Sequence, residues 1–308
     1  MNINEMIEVR QPAYSIGLMH DVEYKRVPAQ AGHFNDTYRT GLVMQIIVPR
    51  PEDRAKKQEP YPIIVYPVGG GWTTPLLMYR LPYVVDLARR GLIVATVQYR
   101  GREFYNNWKE QVEDVRSAYR YLKKHAADYA GDPDNMFFMG DSAGGHLSML
   151  AGYTGNEFDD PDDDLSIKIE PRGILDLFGP VDLWHTWQDT FDEKLKDYPI
   201  AGIIRNTFTD YAKTQDETKL REILTEASIL PRITEEAHIP PTLITQGDRD
   251  AMVATWNAAQ LYEKLTACGK EAYCYLIKDA RHGDTRFYTD EMFDRYEAFI
   301  RTHLTTAE

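Results

Sequence analysis

The sequence predicts an α/β protein with a mostly parallel central sheet and helices on both faces. Short continuous apolar runs, such as Ile63-Ile64-Val65-Tyr66 and Leu92-Ile93-Val94-Ala95-Thr96-Val97, read as strands buried on both sides. Between such runs lie helical patterns. The clearest sets Trp108, Val112, Val115, Tyr119 and Leu122 three and four residues apart, an amphipathic helix over roughly 107–128. Strands and helices alternate along the chain rather than segregate, which is the mark of a parallel sheet.

Taken in order, Asp21 to Val27 alternates polar and apolar residues, as a half-exposed strand does. Met44-Gln45-Ile46-Ile47-Val48 is a second strand, ended by Pro49. Arg50 to Pro60 is charged and bounded by prolines, hence a surface loop. The strand at Ile63 leads into Val68-Gly69-Gly70-Gly71-Trp72. A helix from Tyr79 to Arg90 ends at Gly91, and the Leu92–Val97 strand follows. Asn135-Met136-Phe137-Phe138-Met139 and Gly173 to Gly179 are further strands. Between them, Asn156 to Asp164 carries five aspartates whose spacing does not match an EF-hand loop, so it is expected to be a solvated acidic loop.

Residues 181–236 break the rhythm. Aromatic residues, including Trp184, Trp187, Phe191, Tyr198, Phe208 and Tyr211, stand there among many charges. This segment is expected to be a helical cap inserted into a core domain of residues 1–180 and 237–308. Pro240-Pro241 restarts the sheet with Thr242-Leu243-Ile244-Thr245. A helix over about 254–267, a last strand at Ala272–Ile277 and a C-terminal helix marked by Phe293, Tyr296, Phe299 and Ile300 complete the chain.

Composition narrows the function classes. A length of 308 residues suits one large α/β domain with an insertion. The formal net charge of -13 argues against nucleic acid or an anionic membrane surface as partner. Met1-Asn2-Ile3-Asn4-Glu5-Met6 has no basic region followed by an apolar run, so no signal peptide is expected. No apolar stretch is long enough to span a bilayer. The two cysteines, Cys268 and Cys274, read as free thiols in a reducing compartment, and a cytoplasmic location is expected. No Cys/His cluster has metal-site spacing; no metal and no cofactor are expected. A homo-oligomer is left open.

The chemistry centres on Gly140-Asp141-Ser142-Ala143-Gly144, which fits G-x-S-x-G. A chain of this length yields about 0.1 chance matches to that pattern at average composition, so the pentapeptide needs its context. An apolar strand precedes it, and Gly145-His146-Leu147-Ser148-Met149-Leu150 opens a helix after it. Such a turn exposes a strained serine. A serine hydroxyl needs a base and a group to orient that base. His282 is the expected base because it follows the last strand, where an open parallel sheet places its site. His146 adjoins the elbow but should point down the helix. Asp250 is the expected orienting acid, with Asp248 in reserve and Asp279 third. The attack creates an oxyanion that needs N–H donors. One is the backbone of Ala143, and the others should come from the Gly69-Gly70-Gly71 loop. A phosphate or dinucleotide loop is disfavoured, because there is no G-x-x-x-x-G-K-[ST] and no acidic residue placed as in a dinucleotide site.

With these parts, the chain resembles the α/β-hydrolase superfamily, in the order Ser142, Asp250, His282. More narrowly it resembles the carboxylesterases grouped with hormone-sensitive lipase and the BD-FAE-type feruloyl or acetyl esterases. Gly140 to His146 matches their elbow, and Gly69-Gly70-Gly71-Trp72 matches their His-Gly-Gly-Gly-Trp loop. Tyr99-Arg100-Gly101 and the helix containing Asp114 are similar to the segment before that elbow. The resemblance implies that Gly70, Gly71 and Ala143 supply the oxyanion donors and that the cap forms the substrate-facing wall. Val68 stands where that family has a histidine thought to brace the glycine loop.

The expected function is hydrolysis of small carboxylic esters, with short acyl or aromatic, hydroxycinnamoyl-type groups, through an acyl-enzyme. Trp72, directly after the glycines, and the cap residues Trp184 and Trp187 are the expected substrate-binding side chains. The bland alternative gives the cap aromatics to the cap's own small core. A second reading is an amidase or peptidase on the same triad, arylformamidase-like or acylaminoacyl-peptidase-like. A third is a non-catalytic binding protein of the same fold.

Overall fold

The structure is a computed structural model that describes residues 13–30, 37–52, 59–73, 75, 77–101, 108–189, 203–204 and 216–305. Eight strands form one sheet in the order β1-β2-β4-β3-β5-β6-β7-β8. They are β1 (Tyr14–Gln30), β2 (Thr37–Pro51), β3 (Tyr61–Pro67), β4 (Ile93–Val97), β5 (Gly131–Asp141), β6 (Ile174–Leu177), β7 (Thr242–Gly247) and β8 (Ala272–Ile277). β2 pairs antiparallel with both β1 and β4, and every pairing from β4 through β8 is parallel. The β1–β2 pair is much longer than the Asp21–Val27 and Met44–Val48 runs suggest, and it carries two register shifts. Those irregularities interrupt the period-two pattern by which a strand is recognised.

Side chains alternate between two cores, one on each face of the sheet. Ile63 and Val65 of β3, with Met136 and Phe138 of β5, join one core. Their neighbours Ile64, Tyr66, Phe137 and Met139 join the other. The first core is covered by α2 (Trp108–Lys124), α3 (Ala143–Tyr153) and α6 (Trp256–Ala267), and the second by α1 (Leu77–Arg89) and α7 (Asp290–Thr302). Val112, Val115, Tyr119 and Leu122 are all buried on the inner stripe of α2, as their spacing requires.

The parallel strands deliver four loops to one edge of the sheet. β3 runs into Gly69–Gly71, β5 into Ser142, β7 into Asp250, and β8 into His282. Because β3 and β5 are direct neighbours, the glycine loop and the serine turn lie side by side.

The described parts of 181–236 are α4 (Leu183–Gln188), residues 203–204, and α5 (Glu217–Glu226) with its flanks. Leu183, Ile204, Leu220 and Leu224 join the same core as α2 and α3. Phe191, Tyr198, Phe208 and Tyr211 lie outside the described residues. The acidic stretch corrects one expectation. Asp159 pairs with Arg116 at 2.8 Å, Asp160 with Lys25 at 2.6 Å, and Asp163 with Arg120 at 3.1 Å. Three aspartates therefore clasp α2 and β1 instead of standing free in water, because those buried cations need partners.

Candidate active site

The serine turn is forced by close packing. Ser142 has φ 52° and ψ -122°, an unfavourable region for a residue with a side chain. Its N–H donates to the Leu177 carbonyl of β6 at 2.8 Å, and its own carbonyl accepts from the His146 N–H at 3.1 Å. A side chain at Gly144 would collide with the Pro67 carbonyl, and one at Gly140 with the Gly144 carbonyl. These two glycines let β5, β3 and α3 meet.

The expected residues come together. His282 Nε2 lies 3.0 Å from Ser142 Oγ, and His282 Nδ1 lies 2.7 Å from Asp250 Oδ2. Asp250 is fixed on all sides. Its Oδ2 also accepts from Gln246 Nε2 at 2.8 Å, and its Oδ1 accepts from the N–H groups of Met252 and Val253 at 2.8 and 2.9 Å. Asp248 is exposed, and Asp279 pairs with Arg249 at 2.7 Å. Phe178 sets its ring against the His282 imidazole, with centroids 4.8 Å apart.

The glycine loop is a turn of positive-φ residues: Gly70 at 152°, Gly71 at 59° and Trp72 at 60°. Beside it, α3 begins at Ala143, so its first N–H groups have no helical acceptor. The glycine loop after β3 and the start of α3 after β5 lie on neighbouring strands. Val68 is buried and apolar, and the loop is held by other groups. Tyr99 donates its hydroxyl to the Val68 carbonyl at 2.9 Å, Gln111 Nε2 donates to the Trp72 carbonyl at 2.7 Å, and the Gly69 N–H donates to Asp141 Oδ1 at 3.0 Å.

Trp72 differs from its expected role. Its side chain is packed in the core, with 1% of the residue exposed, and its indole N–H donates to His146 Nδ1 at 3.2 Å. No ring face is left open for a substrate, so Trp72 anchors the loop. Trp184 and Trp187 stack on each other with centroids 4.9 Å apart, half-buried against the core. His146 is fully buried, and its Nε2–H donates to the Ala227 carbonyl at 2.7 Å. Burial pushes this imidazole down to about 4; the Ala227 carbonyl opposes the shift and Arg232 adds to it. Asp176 lies beneath the same helix, where burial raises it well above the usual carboxylate range against the Gly179 N–H. No sequence pattern places Arg80 near the elbow, yet its Nε donates to Asp141 Oδ2 at 2.8 Å. A signal existed, since a charged residue inside a buried elbow requires a cation, but nothing in the sequence said which one.

The residue pattern of the BD-FAE family matches residues 50–265. The chain belongs to this family. BD-FAE membership agrees with the carboxylesterase resemblance, and the sheet is that of an α/β-hydrolase. Among curated relatives, the probable carboxylic ester hydrolase LipM of Mycobacterium tuberculosis is 27% identical over 221 residues, covering 70% of this chain and 47% of that protein. Esterase LipC of the same organism is 26% identical over 234 residues, covering 73% and 53%. The chain thus spans about half the length of these relatives. Among solved structures, a truncated carbohydrate esterase from gut microbiota superposes with a TM-score of 0.72 at 20% identity, over 96% of this chain and 98% of that one. Thermogutta terrifontis esterase 2 with propionate bound gives 0.67 at 20% identity, over 96% and 97%. Among the described residues, no helix is long and apolar enough to cross a membrane.

Proposed function

We propose that this BD-FAE protein is a serine hydrolase that cleaves small carboxylic esters through an acyl-enzyme. The observation that carries the proposal is the chain of contacts from Ser142 Oγ to His282 at 3.0 Å and from His282 to Asp250 at 2.7 Å. Ser142 Oγ attacks the ester carbonyl while His282 Nε2 takes its proton. Asp250 orients the imidazole and stabilises the imidazolium. The oxyanion is held by the N–H groups of Ala143, Gly70 and Gly71. His282 then returns the proton to the leaving alcohol, and water enters by the reverse sequence to release the acid.

A short acyl group suits the space above the glycine loop. Ile203 Cγ2 lies 2.9 Å from where a β-carbon on Gly71 would stand, so an aliphatic side chain walls that side. A related fold solved with propionate is in keeping with this size. The Trp184–Trp187 stack is the aromatic surface that a hydroxycinnamoyl-type group would use, although much of each ring is spent on the other. The free thiols Cys268 and Cys274 suit a reducing, cytoplasmic setting. The test is hydrolysis of 4-nitrophenyl acetate by the protein and by Ser142→Ala. The variant should fold normally and lose all but about one part in a thousand of kcat or less. Retention of several per cent of wild-type kcat would overturn the assignment.

A further inference from the structure

We propose that Arg80 is a positioning residue for the ester reaction, acting through Asp141 to hold the oxyanion loop and to neutralise a carboxylate buried beside it. The proposal rests on the hydrolase reading above and deepens it.

Asp141 stands directly before Ser142, and Gly69 directly before Gly70. The Asp141 carboxylate therefore bridges the two segments that carry the oxyanion donors. Its Oδ1 accepts from the Gly69 N–H at 3.0 Å. Its Oδ2 accepts from Arg80 Nε at 2.8 Å and from Nη2 at 2.7 Å. The fit leaves no slack, because a β-carbon on Gly69 would lie 2.6 Å from Asp141 Oδ2. The Asp141 side chain has no solvent exposure and that of Arg80 only 10%. Burial opposes the charge on Arg80, but the adjacent carboxylate outweighs it and holds the guanidinium above its ordinary pKa.

The arrangement has an electrostatic consequence. The reaction builds negative charge on the substrate oxygen, and charges interact strongly where water is excluded. A bare carboxylate at position 141 would repel that charge. The guanidinium cancels it and fixes the carboxylate so that Gly69 stays in place. Arg80 is itself confined. Its Cζ lies 5.0, 5.9 and 5.4 Å from the ring centroids of Tyr79, Tyr83 and Tyr288. Its Nη2 lies 3.3 Å from where a β-carbon on Gly283 would stand, one residue after His282. One side chain carried by the first helix thus binds the elbow and lies beside the histidine loop.

The test is a comparison of single and double variants on 4-nitrophenyl acetate, with melting temperature and active-serine titration to count folded enzyme. Arg80→Ala should lower kcat by about 10- to 100-fold and leave KM within about threefold, since the loss lies in the transition state. Arg80→Ala/Asp141→Asn removes the charge and keeps an acceptor for the Gly69 N–H, so it should recover most of the lost kcat. Arg80→Lys keeps the charge but loses the fork, and its kcat should fall about three- to tenfold at similar KM. A merely structural role would lower the melting temperature and leave kcat per titrated serine unchanged. Wild-type kcat in folded Arg80→Ala, or a double variant no faster than Arg80→Ala, overturns the proposal. If Arg80→Ala does not fold, an unchanged kcat in Arg80→Lys overturns it. A wild-type protein with no esterase activity overturns the hydrolase reading and this proposal with it, whereas an active wild type with an equally active variant overturns the clamp alone.

Discussion

His282 Nδ1 lies 2.7 Å from Asp250 Oδ2, and no other side chain of the β7 turn takes that place. The carboxylate can only accept, so the Nδ1 position carries the hydrogen and Nε2 is left to accept from Ser142 Oγ. Asp250 in turn is fixed by Gln246 and two backbone N–H groups. The His282 imidazole therefore has its tautomer and its direction set by contacts within the protein.

Asp250→Asn should then be far more damaging than Asp248→Asn. An amide at position 250 can present its NH2 to Nδ1 and favour the wrong tautomer, for an expected loss in kcat of about 10³- to 10⁴-fold. Asp248 is exposed and should tolerate the change within about threefold. Steady-state rates of both variants decide the matter. A larger loss in Asp248→Asn would show that the wrong carboxylate has been assigned.

The order of strands and helices was legible because both carry strong periodic signals. Ile63–Tyr66 alternates between two cores, and Val112, Val115, Tyr119 and Leu122 fall on one stripe. The serine, acid and histidine were legible because each follows a strand at the same sheet edge. What the sequence could not convey are pairings between distant polar groups. Arg80 and Asp141 are 61 residues apart, and Arg116 and Asp159 are 43 apart. A charge pattern marks such residues as polar but does not choose their partners. Trp72 departs from its expected place beside the substrate for a related reason, since its position after the glycines does not reveal that its N–H turns inward to His146.

His146 should make stability depend on pH. Its folded pKa is depressed to about 4 from an ordinary value of 6.5, because burial disfavours the charged ring. The unfolded chain therefore binds a proton in a range where the folded chain does not. The contribution is complete above about pH 6.5 and is lost as pH falls toward 4. Between pH 7.5 and pH 5 the wild type should lose about 2 kcal/mol more unfolding free energy than His146→Asn, whose side chain does not titrate. Urea unfolding of both proteins at the two pH values measures this. Equal losses would mean that the buried imidazole takes up its proton without strain.

The last expectation concerns Ile203 and the acyl group. Gly71 turns the hydrogen that replaces its side chain toward Ile203, whose Cγ2 and Cδ1 lie 2.9 and 3.6 Å from a β-carbon built there. An ester whose carbonyl oxygen sits at the glycine loop must fit its acyl chain around that side chain. A pocket that is short by one methylene group typically discriminates by about tenfold or more. Ile203→Ala should therefore raise the ratio of kcat/KM for hexanoyl over acetyl 4-nitrophenyl esters by about tenfold, and Ile203→Phe should lower it. The paired substitutions separate a wall from a general disturbance, because damage alone would move both variants in the same direction. Ratios that stay at the wild-type value in both would remove Ile203 from the pocket and leave the serine, histidine and aspartate roles untouched.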